Sequence, residues 1–200
     1  YKRQTISSKL ITKRGKPGVE PGLVLDQLNA QLKRHGLFFP VDVSTSSRAT
    51  LGGMTGNNSC GARSIRYGKM VDNVLGVEAL LQNGEKIQFG EVDPKSLNGK
   101  HPSTRDHLLQ QLFQIGIREA DEVRQRFPEV QRRVGGYNID ELIPPDHGVL
   151  NPARLLVGSE GTLAFSTSIH LKLQPIPTHK VLGVCHFPSF YEAMDSTQHL

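Results

Sequence analysis

Cysteine is scarce in this chain: Cys60 and Cys185 stand 125 positions apart, which excludes a disulfide framework and a cysteine-built zinc site. Both read as reduced thiols of an intracellular protein. No run approaches the roughly 18 apolar residues that a membrane-spanning helix needs, and the N-terminus lacks the apolar stretch of a signal peptide. The chain therefore reads as cytoplasmic, with peripheral attachment to the inner membrane left open. The eight histidines form no HxH or HxxxH pair, so no metal site is expected. The dinucleotide fingerprint G-x-G-x-x-G and the P-loop with its lysine are both missing. A nucleotide, if bound, is held by another architecture.

Excess charge is also missing once one end is set aside. The net charge is +5, but residues 1–16 hold six basic groups and no acid, while the other 184 hold 18 basic and 19 acidic groups. A nucleic-acid surface spreads its cations over a face that follows phosphates. A terminal cluster reads instead as a solvated end, and no nucleic-acid partner is expected. The length of 200 residues and the apolar content of 36% suit one domain, or one domain with the start of another.

What is present is ordered along the chain. Pro21-Gly22 opens a helix in which Val24, Leu25, Leu28 and Leu32 keep helical spacing, with Gly36 as its stop. Leu37, Phe38, Phe39 and Pro40 form a short extended piece. Val74–Leu81 and Lys86–Phe89 flank Asn83-Gly84, a hairpin signal. Ser103 or Thr104 caps a helix with Leu108, Leu109, Leu112 and Phe113 on one face. The charged run to Arg133 reads as mostly helical, with a break near Pro128.

Residues 163–174 alternate strictly, placing Leu163, Phe165, Thr167, Ile169, Leu171 and Leu173 on one face of a half-buried strand. Pro175 and Pro177 mark a boundary, followed by a strand at Val181–Phe187 and a helix from Ser189. The order lacks regular βαβ alternation, so the expected class is α+β, an antiparallel β-sheet with flanking helices.

Two glycine clusters carry the chemistry. Residues 51–68 hold five glycines and the adjacent Asn57-Asn58. Glycine lets another molecule lie against the backbone, and freed amides form a concavity that holds anions. The stretch reads as an irregular binding loop for something extended and phosphorylated. The second cluster, Gly158-Ser159-Glu160-Gly161-Thr162, puts amides, a hydroxyl and a carboxylate at one strand end. Taken alone, it also reads as a plain tight turn with an exposed acid.

In this order, Pro40-Val41-Asp42, Gly52-Gly53, Asn57-Asn58, Gly61, Arg66-Tyr67-Gly68, Asp72 with Val74-Leu75-Gly76, and Val157 through Leu163 resemble the FAD-binding domain of the vanillyl-alcohol-oxidase-type (PCMH-type) FAD-linked oxidases. Within that family the resemblance is to the D-lactate, D-2-hydroxyglutarate and glycolate dehydrogenase branch. It spans residues 19–177 and implies that FAD lies between two subdomains, of which this chain is the second. Residues 1–18 match poorly, and residues 178–200 correspond to the start of a substrate-binding cap domain.

By this resemblance, Pro40, Ser44 and Thr45 approach the cofactor. Gly52, Gly53, Met54, Asn57, Asn58 and Gly61 line the pyrophosphate and the isoalloxazine edge. Gly158, Glu160, Gly161 and Thr162 lie towards the adenosine. The two clusters are then expected side by side around one hollow. The family departs at Ala164, where it usually has glycine, and at Cys60, where alanine or glycine is usual.

The resemblance also implies oxidation of a small D-2-hydroxy acid by hydride transfer to flavin N5, with a catalytic histidine and a substrate arginine largely in the cap domain. No catalytic residue is therefore assigned here. The other partner would be the remainder of the same enzyme, and the isolated chain is expected to be inactive and to bind FAD weakly or not at all. Arg63, Arg66 and Tyr67 could reach substrate or serve turns and ion pairs; Tyr137 could lie near flavin or in the core. His147 and His170 read as loop and strand-face residues. A non-catalytic nucleotide-binding module, or a flavoenzyme of the same fold with another substrate, are the alternatives.

Overall fold

A computed structural model of the protein describes residues 18–97, 99, 102–144 and 148–199; the expectations for the basic segment before Gly18 and for His147 fall outside them. Helix α1 spans Leu25–Lys33 and buries Leu25, Leu28 and Leu32. It begins after Pro21-Gly22 rather than at it, because those residues form a turn closed by the Leu23 amide on the Glu20 carbonyl at 3.0 Å. The chain turns at Gly36 with φ of +68°, a left-handed value that favours glycine. Strand β1 (Leu37–Phe38) follows, paired antiparallel with β5 (Gln174–Pro175). Asn29 of α1 then holds the exit: its Oδ1 accepts the Phe39 amide at 2.7 Å.

Three short helices come next: α2 (Leu51–Asn57), α3 (Ser64–Tyr67) and α4 (Met70–Asn73). They lead into β2 (Val74–Leu80) and β3 (Lys86–Gly90), which with β4 (Phe165–Leu171) make an antiparallel sheet in the order β3-β2-β4. Between β3 and β4 lie α5 (Thr104–Arg118), α6 (Ala120–Arg126) and α7 (Ala153–Leu156). Ser103 and Asp106 close a reciprocal capping box at the start of α5. The expected α+β class holds: one core cluster joins Val77, Ala79, Ile87, Phe89 and Ile169 of the sheet to Leu28 of α1 and to Leu109 and Phe113 of α5.

Three expectations are corrected. The helical run ends at Arg126; residues 128–138 are irregular, held by tertiary contacts such as Arg133 on Asp140 at 2.5 Å and over the Phe127 ring at 4.5 Å. The strand expected at Val181–Phe187 does not form, since among the described residues it has no partner to hydrogen-bond, and Val181 is 95% exposed. Helix α8 (Phe190–Asp195) follows it, capped by Ser189.

The third correction concerns the alternation in β4. Ile169 lies opposite Val77 and Ser168 opposite Glu78, but Ala79 then meets Ser166, so Thr167 is the extra residue of a bulge. An inserted residue sends the side chains beyond it to the other face. Ile169 is fully buried, whereas Phe165, nominally on the same face, pairs with Leu80 on the opposite side and is 71% exposed. The Thr167 hydroxyl donates to the Glu78 carbonyl at 3.1 Å, which stitches the bulge.

His170 sits on the face opposite Ile169, with Gly18 close enough that a side-chain carbon there would lie 2.8 Å from His170 Cδ2. Burial holds its imidazole below the ordinary 6.5, opposed by the pull of Glu78. The unfolded chain takes up this proton near the ordinary value, the folded chain only at lower pH. Stability is therefore intact above that value and declines as the pH falls below it. Between about pH 7 and about pH 5, the thermal midpoint of the wild type is expected to drop more than that of His170→Gln. Parallel profiles would remove the histidine from the acid response.

Candidate functional site

The stretch 51–68, expected to be an irregular loop, is largely helical: α2 takes Leu51–Asn57 and α3 Ser64–Tyr67, with an irregular turn between them. Thr50 caps α2, its Oγ1 accepting the Gly53 amide at 3.2 Å, and Leu51, Met54 and Thr55 are buried at helical spacing. Each glycine in a helix interior costs about 1 kcal/mol relative to alanine, so packing must offset the loss. A side-chain carbon on Gly52 would stand 2.7 Å from Pro21 Cβ, which accounts for that position. The glycine amides are not bare either: Gly52 donates to the Pro21 carbonyl at 2.7 Å.

The C-terminus of α2 brings the two clusters together. Its last carbonyls need donors, and these come from 100 residues away: the Gly158 amide reaches Thr55 at 2.9 Å and the Glu160 amide reaches Gly56 at 3.0 Å. Asn57 Nδ2 also donates to Glu160 Oε1 at 3.1 Å. Asn57 and the second cluster are thus adjacent, although the second cluster does not line the pocket beside them. The amides that join them are, however, consumed by α2, so the anion-holding capacity must reside elsewhere.

Beside this junction lies an open pocket of about 670 Å3, within the range of about 300–1,000 Å3 usual for small-molecule sites. One wall is Asp42, Ser44 and Thr45, delivered by β1; the other is Asn57, Asn58, Cys60 and Gly61, following α2; Val134 forms a third side. Asp42 Oδ1 accepts the Arg63 amide at 3.0 Å and so ties the two walls. Of the expected site residues, Ser44, Thr45, Asn57, Asn58 and Gly61 line this pocket. Pro40 and Met54 are buried, Gly52 packs on Pro21, and Gly53 is exposed. Gly158, Glu160, Gly161 and Thr162 lie beyond the α2 terminus and do not line it.

Asn58 is the focal residue. It is fully buried and left-handed, with φ of 51°, and its Oδ1 accepts the Val71 amide at 3.0 Å. That bond fixes the amide orientation, which leaves Nδ2 as a buried donor with no protein partner. Buried donors are rarely left unpaired; this one lies behind the surface of the pocket wall, since the atom itself is buried. Val134 and its neighbour Arg132 were not anticipated; their only sequence signal is the adjoining Gly135-Gly136 turn. Tyr137 is neither core nor pocket wall: it is 42% exposed and hydrogen-bonds Thr162 Oγ1 at 2.8 Å. Arg63 and Arg66 lie over the rings of Phe38 and Tyr67, at 5.8 and 5.4 Å.

Residues 10–90 match the family described as FAD binding domain. The chain is similar in sequence to curated D-2-hydroxyglutarate and D-lactate dehydrogenases. It is 38% identical to the D-2-hydroxyglutarate dehydrogenase of Pantoea ananatis over 181 residues, 89% of this chain and 17% of that protein. It is 31% identical to a mitochondrial D-lactate dehydrogenase (cytochrome) of Arabidopsis thaliana, over 88% of this chain and 22% of that one. The chain thus spans about a fifth of the length of these curated relatives. An alkyldihydroxyacetonephosphate synthase structure shares the fold, with a TM-score of 0.51, 18% identity, and coverage of 90% of this chain and 25% of that one. Among the described residues, no helix is long and apolar enough to cross a membrane.

Proposed function

We propose that this chain is the FAD-binding part of a flavin-dependent dehydrogenase that oxidises a small D-2-hydroxy acid. The observation that carries the reading is a pocket walled by Ser44, Thr45, Asn57, Asn58 and Gly61 in a chain whose relatives are named as dehydrogenases of such acids. Bound flavin supplies the acceptor for the hydride that leaves the hydroxyl-bearing carbon. The chain's own residues do the holding. Ser44 and Thr45 offer hydroxyls from one wall, and Asn58, held by the Val71 amide, shapes the other. Asn57 is oriented from both ends, by Glu160 Oε1 on its Nδ2 and by the Ser59 hydroxyl on its Oδ1 at 3.0 Å. Gly158, Glu160, Gly161 and Thr162 would extend the site past α2 towards the far end of the dinucleotide.

The domain division is part of the same proposal: residues 19–177 form the cofactor-binding unit and residues 178–200 begin a cap domain. What supports the boundary is the end of sheet pairing at Pro175 and the exposure of Val181 and Leu182, at 95% and 88%. The remainder of the enzyme and the hydroxy acid are the proposed partners. The cytoplasm, including the inner face of the inner membrane, is the proposed compartment, consistent with two unpaired cysteines.

The full-length protein is expected to purify with flavin absorbance and to reduce a redox dye with D-2-hydroxyglutarate, D-lactate or glycolate. Dye reduction with none of the three would overturn the proposal. The 200-residue chain alone is expected to turn over none of them and to retain no stoichiometric flavin.

A further inference from the structure

We propose that Arg132 is an anion anchor at the rim of the pocket, taking a phosphate or a carboxylate of whatever binds there. The inference rests on reading the pocket as the dinucleotide site. Of residues 131–138, which form a strap beside the pocket, Val134 lines the cavity. Polar contacts clip the strap down: Lys69 Nζ donates to the Gln131 carbonyl at 3.2 Å, and Arg132 Nη2 donates to the Gly61 carbonyl at 2.8 Å. Tyr137 and Thr162 hold its other end at 2.8 Å. Because Gly61 is itself a pocket wall, its carbonyl fixes the Arg132 guanidinium at the opening.

Pairing separates Arg132 from most arginines of the helical half, while Arg63 and Arg66, also without a carboxylate among the described residues, lie over aromatic rings instead. Arg118, Arg124, Arg126, Arg133 and Arg154 each meet a carboxylate at 2.5–2.9 Å. Among the described residues, Arg132 has no carboxylate partner and bonds a neutral carbonyl instead. One such bond leaves most of the guanidinium donors available, in a planar fork that suits phosphate or carboxylate oxygens. Among the described residues the wall's own carboxylate, Asp42, forms no ion pair with Arg132; its Oδ1 accepts the Arg63 amide at 3.0 Å. Within the wall, Asn58 Nδ2 is a second donor without an acceptor. A guanidinium held on the Gly61 wall with most of its donors free calls for an acceptor-rich anion.

Cys60 lines the pocket and Cys185 is exposed outside it, so in a Cys185→Ser chain the rate of Cys60 alkylation by iodoacetamide reports occupancy. Inorganic pyrophosphate and D-2-hydroxyglutarate are the two probes. At least one is expected to slow alkylation, and Arg132→Gln to raise the concentration for half-protection about tenfold. Protection by pyrophosphate assigns the phosphate source; protection by the hydroxy acid alone assigns the carboxylate. Arg132→Lys keeps the charge but not the fork on Gly61. An anchor predicts partial recovery in Lys, whereas a purely structural strap contact predicts damage equal to that in Gln. No protection by either probe, equal protection in wild type and Gln, or no recovery in Lys would overturn the inference. Failure of the parent reading shows separately, as a full-length protein that reduces no dye.

Discussion

Gly61→Ala is expected to lose about 2–3 kcal/mol of stability together with all ligand protection of Cys60. Gly116→Ala is expected to lose a similar amount and leave the pocket working. Both positions face the same steric problem. A side-chain carbon at Gly61 would overlap the carbonyl oxygen of Asp42, and one at Gly116 would overlap that of Leu142. Backbone atoms cannot rotate away as a side-chain end can, so the segments must separate. The two consequences differ by location. Gly61 and Asp42 are opposite walls of the pocket, so parting them destroys its shape. Gly116 joins α5 to the turn at Ile139–Leu142, outside those walls. Urea denaturation gives the stability and Cys60 alkylation gives the pocket. A Gly61→Ala chain of wild-type stability would show that the walls are not in contact.

Asn58→Ala is expected to cost about 2–4 kcal/mol, from two sources. The left-handed backbone, which asparagine tolerates better than alanine, adds about 1 kcal/mol, and the Val71 amide loses its acceptor, worth about 1–3 kcal/mol when buried. Asn58→Gly removes the first cost and keeps the second, so it should be the milder change by about 1 kcal/mol. Function is tested by Asn58→Asp, which keeps an acceptor for Val71 and replaces the unpartnered donor with another acceptor. Flavin retained by the full-length protein is expected to fall at least about tenfold, the cost of one charge-assisted bond. Normal flavin content in Asn58→Asp would show that Nδ2 does not face the cofactor.

Much of the fold could be read locally. The Asn83-Gly84 hairpin forms with Gly84 left-handed at φ of 81°. The Ser103 cap and the Leu109–Phe113 face of α5 follow from spacing alone. The glycine-rich stretch misled because intrinsic propensity disfavours a helix at Leu51–Asn57. What overrides it is burial of Leu51 and Met54, together with donors supplied to the helix end by Gly158 and Glu160. Thr167 misled for a related reason: a bulge is defined by the register with β2, which strict alternation in one strand cannot reveal.

Taken by itself, the sequence determined the α+β elements, the two glycine clusters and the kinship they carry, because caps, turns and periodicity act over about four residues. Only the tertiary structure decided which polar groups remain free. It spent the Gly158 and Glu160 amides on α2, left Asn58 Nδ2 unpaired, and laid Arg132 on the Gly61 carbonyl. A donor's availability depends on every neighbour that folding brings within reach, and here those neighbours stand 71 and about 100 positions apart along the chain.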